Sequence, residues 1–159
     1  MKKLIFSERV VELLQDPATV KILATVDGDG VPHAVVKQSL QLGEDGNLYY
    51  LEQLESSRSN SNMVRSIWFD KTVSVLLVGQ GARAVQIKGR PIKAHITGPL
   101  FQEQYNRLRA ERPDADLAAV WVIEPEKVID ENPAIRRNEE ARKHPHFVHL
   151  DRLARHTAV

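Results

Sequence analysis

The chain has 159 residues (18.0 kDa), the length of one domain, with 42% apolar and 27% charged residues, which excludes disordered, collagen-like and low-complexity classes. The absence of cysteine excludes disulfides, thiolate catalysis and Cys-ligated zinc or iron–sulfur centres, and a net charge of +1 argues against a nucleic-acid coat protein. No apolar run approaches the ~20 residues of a membrane span, and the first residues lack the form of a secretion signal, so the expected location is the cytoplasm.

Residues 7–15 space Val10, Val11, Leu13 and Leu14 among charged neighbours, which predicts a short amphipathic helix with Ser7 as N-cap and a stop at Asp16 and Pro17. Two β-type runs, 21–26 and 31–37, flank a turn rich in Asp and Gly and predict a hairpin. The second run is expected to continue to Leu42 and pair with a third strand at 48–51, giving a three-stranded meander. A polar loop at 55–62 then opens onto a helix whose N-cap is Ser61 or Asn62, with Met63, Val64, Ile67 and Trp68 on one side.

Residues 73–78 and 84–96 read as strands four and five, with a bulge at Gly89. Gly98 and Pro99 start a helix that ends near Arg112 and Pro113, and the apolar run 117–123 is a buried sixth strand. The last thirty residues carry five acidic groups, six basic groups and four of the six histidines around few apolar residues, as expected of a partly helical arm without its own core. The expected organisation is a six-stranded antiparallel barrel over residues 1–127, mainly β with short peripheral helices, followed by the arm at 128–159.

Residues 53–93 hold seven basic against two acidic residues, which makes the middle of the chain the place for an anion. Ser57, Arg58, Ser59 and Asn62 bring hydroxyls, a fixed charge and an amide to a helix N-terminus, where free N–H groups favour phosphate. Gln86 and Lys88 on a later strand are placed to face the same pocket. His144, His146 and His149 are interrupted by a proline and have no carboxylate pair beside them, so no metal site is expected. His33, within the second strand, reads as a packed strand residue or a ligand contact. No serine stands in a nucleophile context, and no general acid or base can be assigned.

These segments, in this order, resemble the pyridoxamine 5'-phosphate oxidase-like FMN-binding split barrels: residues 22–33 ending at His33, residues 46–52, the Ser57, Arg58 and Ser59 motif, the helix ending at Asp70 and Lys71, and the strands at 73–77 and 85–89. The resemblance covers roughly residues 15–125. It implies a six-stranded split barrel that forms a homodimer, with FMN in the groove between the subunits; the short apolar runs and the near-neutral charge lead to no expectation of a membrane or nucleic-acid partner.

It further implies that His33, Ala34, Val35, Val36 and Lys37 lie along the flavin, with main-chain groups of residues 34–36 meeting the ring, and that Ser57 and Arg58 bind the phosphate. Ser59 stands where the family usually has lysine, so that Lys37, Lys88 or Asn62 takes over that contact, and Ala84 replaces a side chain that commonly touches the flavin. The substrate-holding Arg and His of the vitamin B6 oxidase are absent from residues 119–125. The expectation is therefore an FMN-dependent oxidoreductase fed by NAD(P)H or another small electron donor, with a flavin carrier or sensor, or the same fold holding a deazaflavin or haem, as alternatives.

Overall fold

The computed structural model describes residues 3–147. A seven-stranded antiparallel sheet curls into a split barrel in the order β2-β1-β5-β6-β7-β4-β3. Its strands are β1 (Val20–Val26), β2 (Pro32–Val36), β3 (Gln41–Leu42), β4 (Leu48–Glu52), β5 (Val73–Val78), β6 (Ala84–His95) and β7 (Ala119–Asp130). Among the described residues four helices surround it: α1 (Glu8–Gln15), α2 (Arg58–Trp68), α3 (Pro99–Glu111) and α4 (Pro133–Lys143), the last in the carboxy-terminal arm. His149 and the rest of the arm lie outside the described residues. No helix among the described residues is long and apolar enough to cross a membrane.

The expected six strands are seven, and the expected meander is absent. The run from 31 to 42 does not stay extended: a turn at residues 38–39, closed by Leu40 N–H on Lys37 C=O (3.1 Å), cuts it into β2 and β3. Among the described residues β2 pairs only with β1, and β3 pairs with β4, at opposite edges of the sheet. Two side chains bridge the gap in place of ladder bonds. The Gln38 amide accepts from Lys21 N–H (2.8 Å) and donates to Thr19 C=O (3.0 Å), while the Ser39 hydroxyl accepts from Leu51 N–H (3.0 Å) and donates to Leu51 C=O (3.3 Å). Each supplies one donor and one acceptor, as a peptide unit in a strand would.

The barrel interior follows from period-two alternation. Leu23, Val75, Leu77, Ile87, Leu48, Tyr50, Trp121 and Ile123 point inward and are almost fully buried, and Val10, Leu13 and Leu14 of α1 close one end. At the other end α2 contributes Met63. A second small core, Leu108, Leu117 and Val120 with Tyr49, Leu51 and Tyr105, holds α3 against the outside of β4 and β7. The register slips between Lys88 and Gly89, where a Cβ on Gly89 would collide with the Glu124 main-chain oxygen, so the expected bulge is present and requires glycine.

Candidate functional site

Helix α2 begins earlier than its composition suggests. Ser57 is the N-cap, its Oγ accepting from Asn60 N–H at 3.0 Å, so residues 58–60 form the first helical turn rather than a loop. Serine and asparagine are weak helix formers, yet here their polar groups answer partners at the barrel mouth. Asn62 Nδ2 donates to Thr25 Oγ1 (2.9 Å), and Asn60 Oδ1 accepts from the Trp121 indole (2.9 Å). The helix therefore turns Ser59, Asn62, Met63 and Ser66 inward, and leaves Val64, Ile67 and Trp68 exposed, the last at 79%. The expected single apolar side is thus divided, with Met63 alone in the core.

This arrangement sorts the anticipated anion ligands. Arg58, the first helical residue, is exposed and its guanidinium has no protein partner among the described residues. Ser59 and Asn62 are buried, and Asn62 is committed to Thr25. Lys37 is committed as well, because its Nζ donates to both oxygens of Glu52, at 3.0 and 3.3 Å. Ser57, expected to bind the phosphate, is committed too, its hydroxyl donating to Glu52 and accepting from Asn60 N–H, so what remains at the start of α2 is the free N–H groups of its first turn and Arg58.

Glu52 is the residue that sequence reading passed over. Only 1% exposed, it accepts from Lys37 Nζ, from Ser57 Oγ (2.8 Å) and from Leu54 N–H (3.2 Å), and the Tyr50 hydroxyl lies 3.5 Å away. Burial, followed by this carboxylate, pushes the Tyr50 phenol far up. A signal was available in the sequence: Glu52 occupies an inward position of the alternating strand that buries Leu48 and Tyr50. A charge there needs a buried partner.

β2 presents the second component. Lys37 N–H donates to Lys21 C=O, and Val31 C=O accepts from Asp27 N–H, so the main-chain groups of residues 33 and 35 also face β1. By the same alternation the N–H and C=O groups of Ala34 and Val36 point to the free edge, where no strand pairs with them among the described residues. His33 and Val35 turn their side chains to the inner face, opposite Thr25 and Leu23, while Ala34 and Val36 turn theirs outward.

Two rows cross the outer face: Val36, Ile22, Leu76 and Gln86, and beside it Ala34, Ala24, Ser74 and Lys88. Gln86 and Lys88 share the face with β2 but stand three strands away, ~14 Å at the usual spacing. Lys88 is two residues from Arg90, which binds Asp70 beyond the carboxy-terminal end of α2 (2.8 Å), whereas Arg58 starts that ~16 Å helix. Within one chain, Arg58 and Lys88 are not brought together.

Seven antiparallel strands split between β2 and β3, with a helix capped by Ser57 and opening on Arg58 across one mouth, decide the fold by comparison with solved structures. The fold is that of the pyridoxamine 5'-phosphate oxidase-like split barrels. HupZ of Group A Streptococcus superposes with a TM-score of 0.68 at 17% identity, over 80% of this chain and 95% of that one. An FMN-binding protein from Syntrophomonas wolfei gives 0.66 at 13% identity, over 78% and 84% of the two chains. A putative pyridoxamine 5'-phosphate oxidase from Lactobacillus delbrueckii gives 0.59 at 24% identity, over 78% and 93%. No protein-family model matches the sequence, and no curated protein matches it. Within this split barrel, clefts of about 410 and 210 Å³ run along α3, the larger beside the segment that joins β2 to β3, and neither is lined by residues of β2 or of α2.

Proposed function

We propose that this split barrel is an FMN-binding protein that works as a homodimer, with its oxidoreductase chemistry supplied by the flavin. The observation that carries this reading is the Glu52 carboxylate. It ties Lys37, at the end of the free-edge strand, to Ser57, at the cap of the anion-attracting helix. A ligand with a phosphate at one end and a flat polar-edged ring at the other has binding groups of both kinds in one connected unit. Arg58 would hold the phosphate by a charge-assisted bond, and the main-chain groups of Ala34 and Val36 would hold the edge of the ring.

Bound flavin accepts a hydride or single electrons. The chain's part is to bind, orient and exclude water, and none of the residues named need move a proton.

Apolar surface left open supports the dimer. Val36 (53% exposed), Val20 and Val78 lie with Ile22 and Leu76 on adjacent strands of the outer face. Monomers seldom leave such contiguous surface uncovered. A partner laid across it would also give Gln86 and Lys88, remote from Arg58 in their own chain, a place in a site between subunits.

The visible spectrum of freshly purified protein tests the reading, with mass spectrometry of whatever is released on denaturation. FMN is expected; a deazaflavin or haem would show at once in the same spectrum. Arg58→Ala removes a charge-assisted contact of ~1.5–3 kcal/mol and should weaken FMN about 10- to 150-fold. Colourless protein that takes up no FMN in a fluorescence-quenching titration would overturn the proposal. NAD(P)H oxidation by the loaded protein separates an enzyme from a carrier or sensor.

A further inference from the structure

The cleft of about 410 Å³ lies at the seam, between the segment joining β2 to β3 and the inner face of α3. Its wall includes Lys21, one of few charged residues buried in the described chain, at 7% exposure. An ammonium has three donors, and Lys21 Nζ makes one protein hydrogen bond, to Leu40 C=O at 2.8 Å. Lys37, its neighbour on the same face of the sheet, has Glu52 as counter-ion; Lys21 has no carboxylate within 4 Å among the described residues. Burial pushes its ammonium pKa down, against a smaller upward pull from Asp16. A buried cation without a counter-ion is costly, and it faces an open cleft.

We propose that this cleft binds a small organic carboxylate, with Lys21 as its principal charge partner. Arg112, at the carboxy-terminal end of α3, shares the cleft and has no side-chain partner among the described residues, so its guanidinium is free to take the second carboxylate oxygen. Arg107 is held by Glu103 at 3.1 Å and contributes less. Gln104, 4% exposed, accepts from Gln41 Nε2 (3.2 Å), which leaves its own amide N–H groups for the ligand. Leu51 and Leu108 give the cleft apolar surface suited to a short hydrocarbon body. Glu111 on the same lining disfavours a dianion, and this points to a monocarboxylate rather than a phosphate. None of these residues belongs to the proposed flavin contacts, so the inference stands or falls separately from them.

The test is a titration of the full chain, with and without FMN, followed by amide ¹H–¹⁵N spectra and using isovalerate, its neutral analogue isovaleramide, and inorganic phosphate. Isovalerate should produce saturable shifts at Gln38, Leu40, Gln104 and Leu108 that isovaleramide does not. Lys21→Met should abolish them, and Arg112→Gln, at an exposed position that leaves the fold intact, should weaken binding about tenfold. The proposal is overturned by the absence of saturable shifts, by equal shifts from the amide, by tighter binding of phosphate than of isovalerate, or by unchanged affinity in Arg112→Gln. Should Lys21→Met fail to fold, Arg112→Gln and the isovaleramide comparison decide.

Discussion

Replacing Glu52 by glutamine keeps the shape of the side chain and removes the charge on which the site is organised. The neutral amide leaves Lys37, 16% exposed, without a counter-ion, and sets an NH2 group where the carboxylate had faced three donors. Removing one member of a buried ion pair costs ~3–5 kcal/mol; because Lys37 retains some contact with water, the lower end applies, ~3 kcal/mol. For a chain of this size that lowers Tm by about 6–12 °C. Urea unfolding followed by circular dichroism gives the free energy directly, and a cycle with Lys37→Met isolates the pair. The double variant should recover most of the loss, with a coupling of at least ~2 kcal/mol. A loss below ~1 kcal/mol for Glu52→Gln, or strict additivity across the cycle, would refute the account of Glu52 as the tie between β2 and α2.

Gly89→Ala presses a methyl group against the Glu124 main-chain oxygen and should destabilise by ~1–3 kcal/mol; a neutral effect in the same unfolding assay would show that the bulge accommodates a side chain. Val36→Asp places a charge on the outer face and should convert a sedimenting dimer to monomer, while an unchanged sedimentation coefficient would remove that face from the interface. Burial, followed by the hydrogen bond and charge of Asp45, pushes the Tyr49 phenol up to about 12. Its folded pKa being raised, the stabilisation is complete below the unfolded value near ~10 and is lost as pH rises towards 12. Unfolding free energies of the wild type and Tyr49→Phe should converge over that window; parallel curves would contradict the shift.

The elements legible in the sequence were those in which one face decides. α1, β1, β5, β6 and α3 follow the expected bounds closely, because apolar periodicity and Gly or Pro stops coincide there. The buried strand expected at 117–123 instead runs over Ala119–Asp130, beyond the expected barrel limit at 127, because its second half keeps pairing with β6. Two other failures share a cause in polar side chains that do backbone work. At Gln38 and Ser39 they end a run that β-propensity would have continued, because an amide and a hydroxyl bond to both flanking strands. From Ser57 to Asn62 they build a helix where composition reads as loop, because each finds a partner on the barrel. Single-residue propensity carries no record of such distant partners. Arg58 and β2 enter the candidate site through the resemblance, whereas Glu52, though marked by its inward position on β4, joins it only because Lys37, Ser57 and Tyr50 converge on its carboxylate.

The seam has a consequence for how this architecture can change. Elsewhere the strands are joined by peptide groups, which every residue except proline carries, so side chains there can drift as long as they fit. Across the split the join depends on the chemical identity of particular side chains: the consecutive Gln38 and Ser39, and with them Lys37 on Glu52 and Lys21 on the Leu40 main-chain oxygen. A substitution at Gln38 or Ser39 would loosen the anchorage of β2 while leaving the ladders from β1 through β5 and β6 to β7 untouched. Variation at these few positions can therefore re-aim the free edge, and with it the main-chain groups proposed to meet the flavin, while the rest of the scaffold keeps its shape.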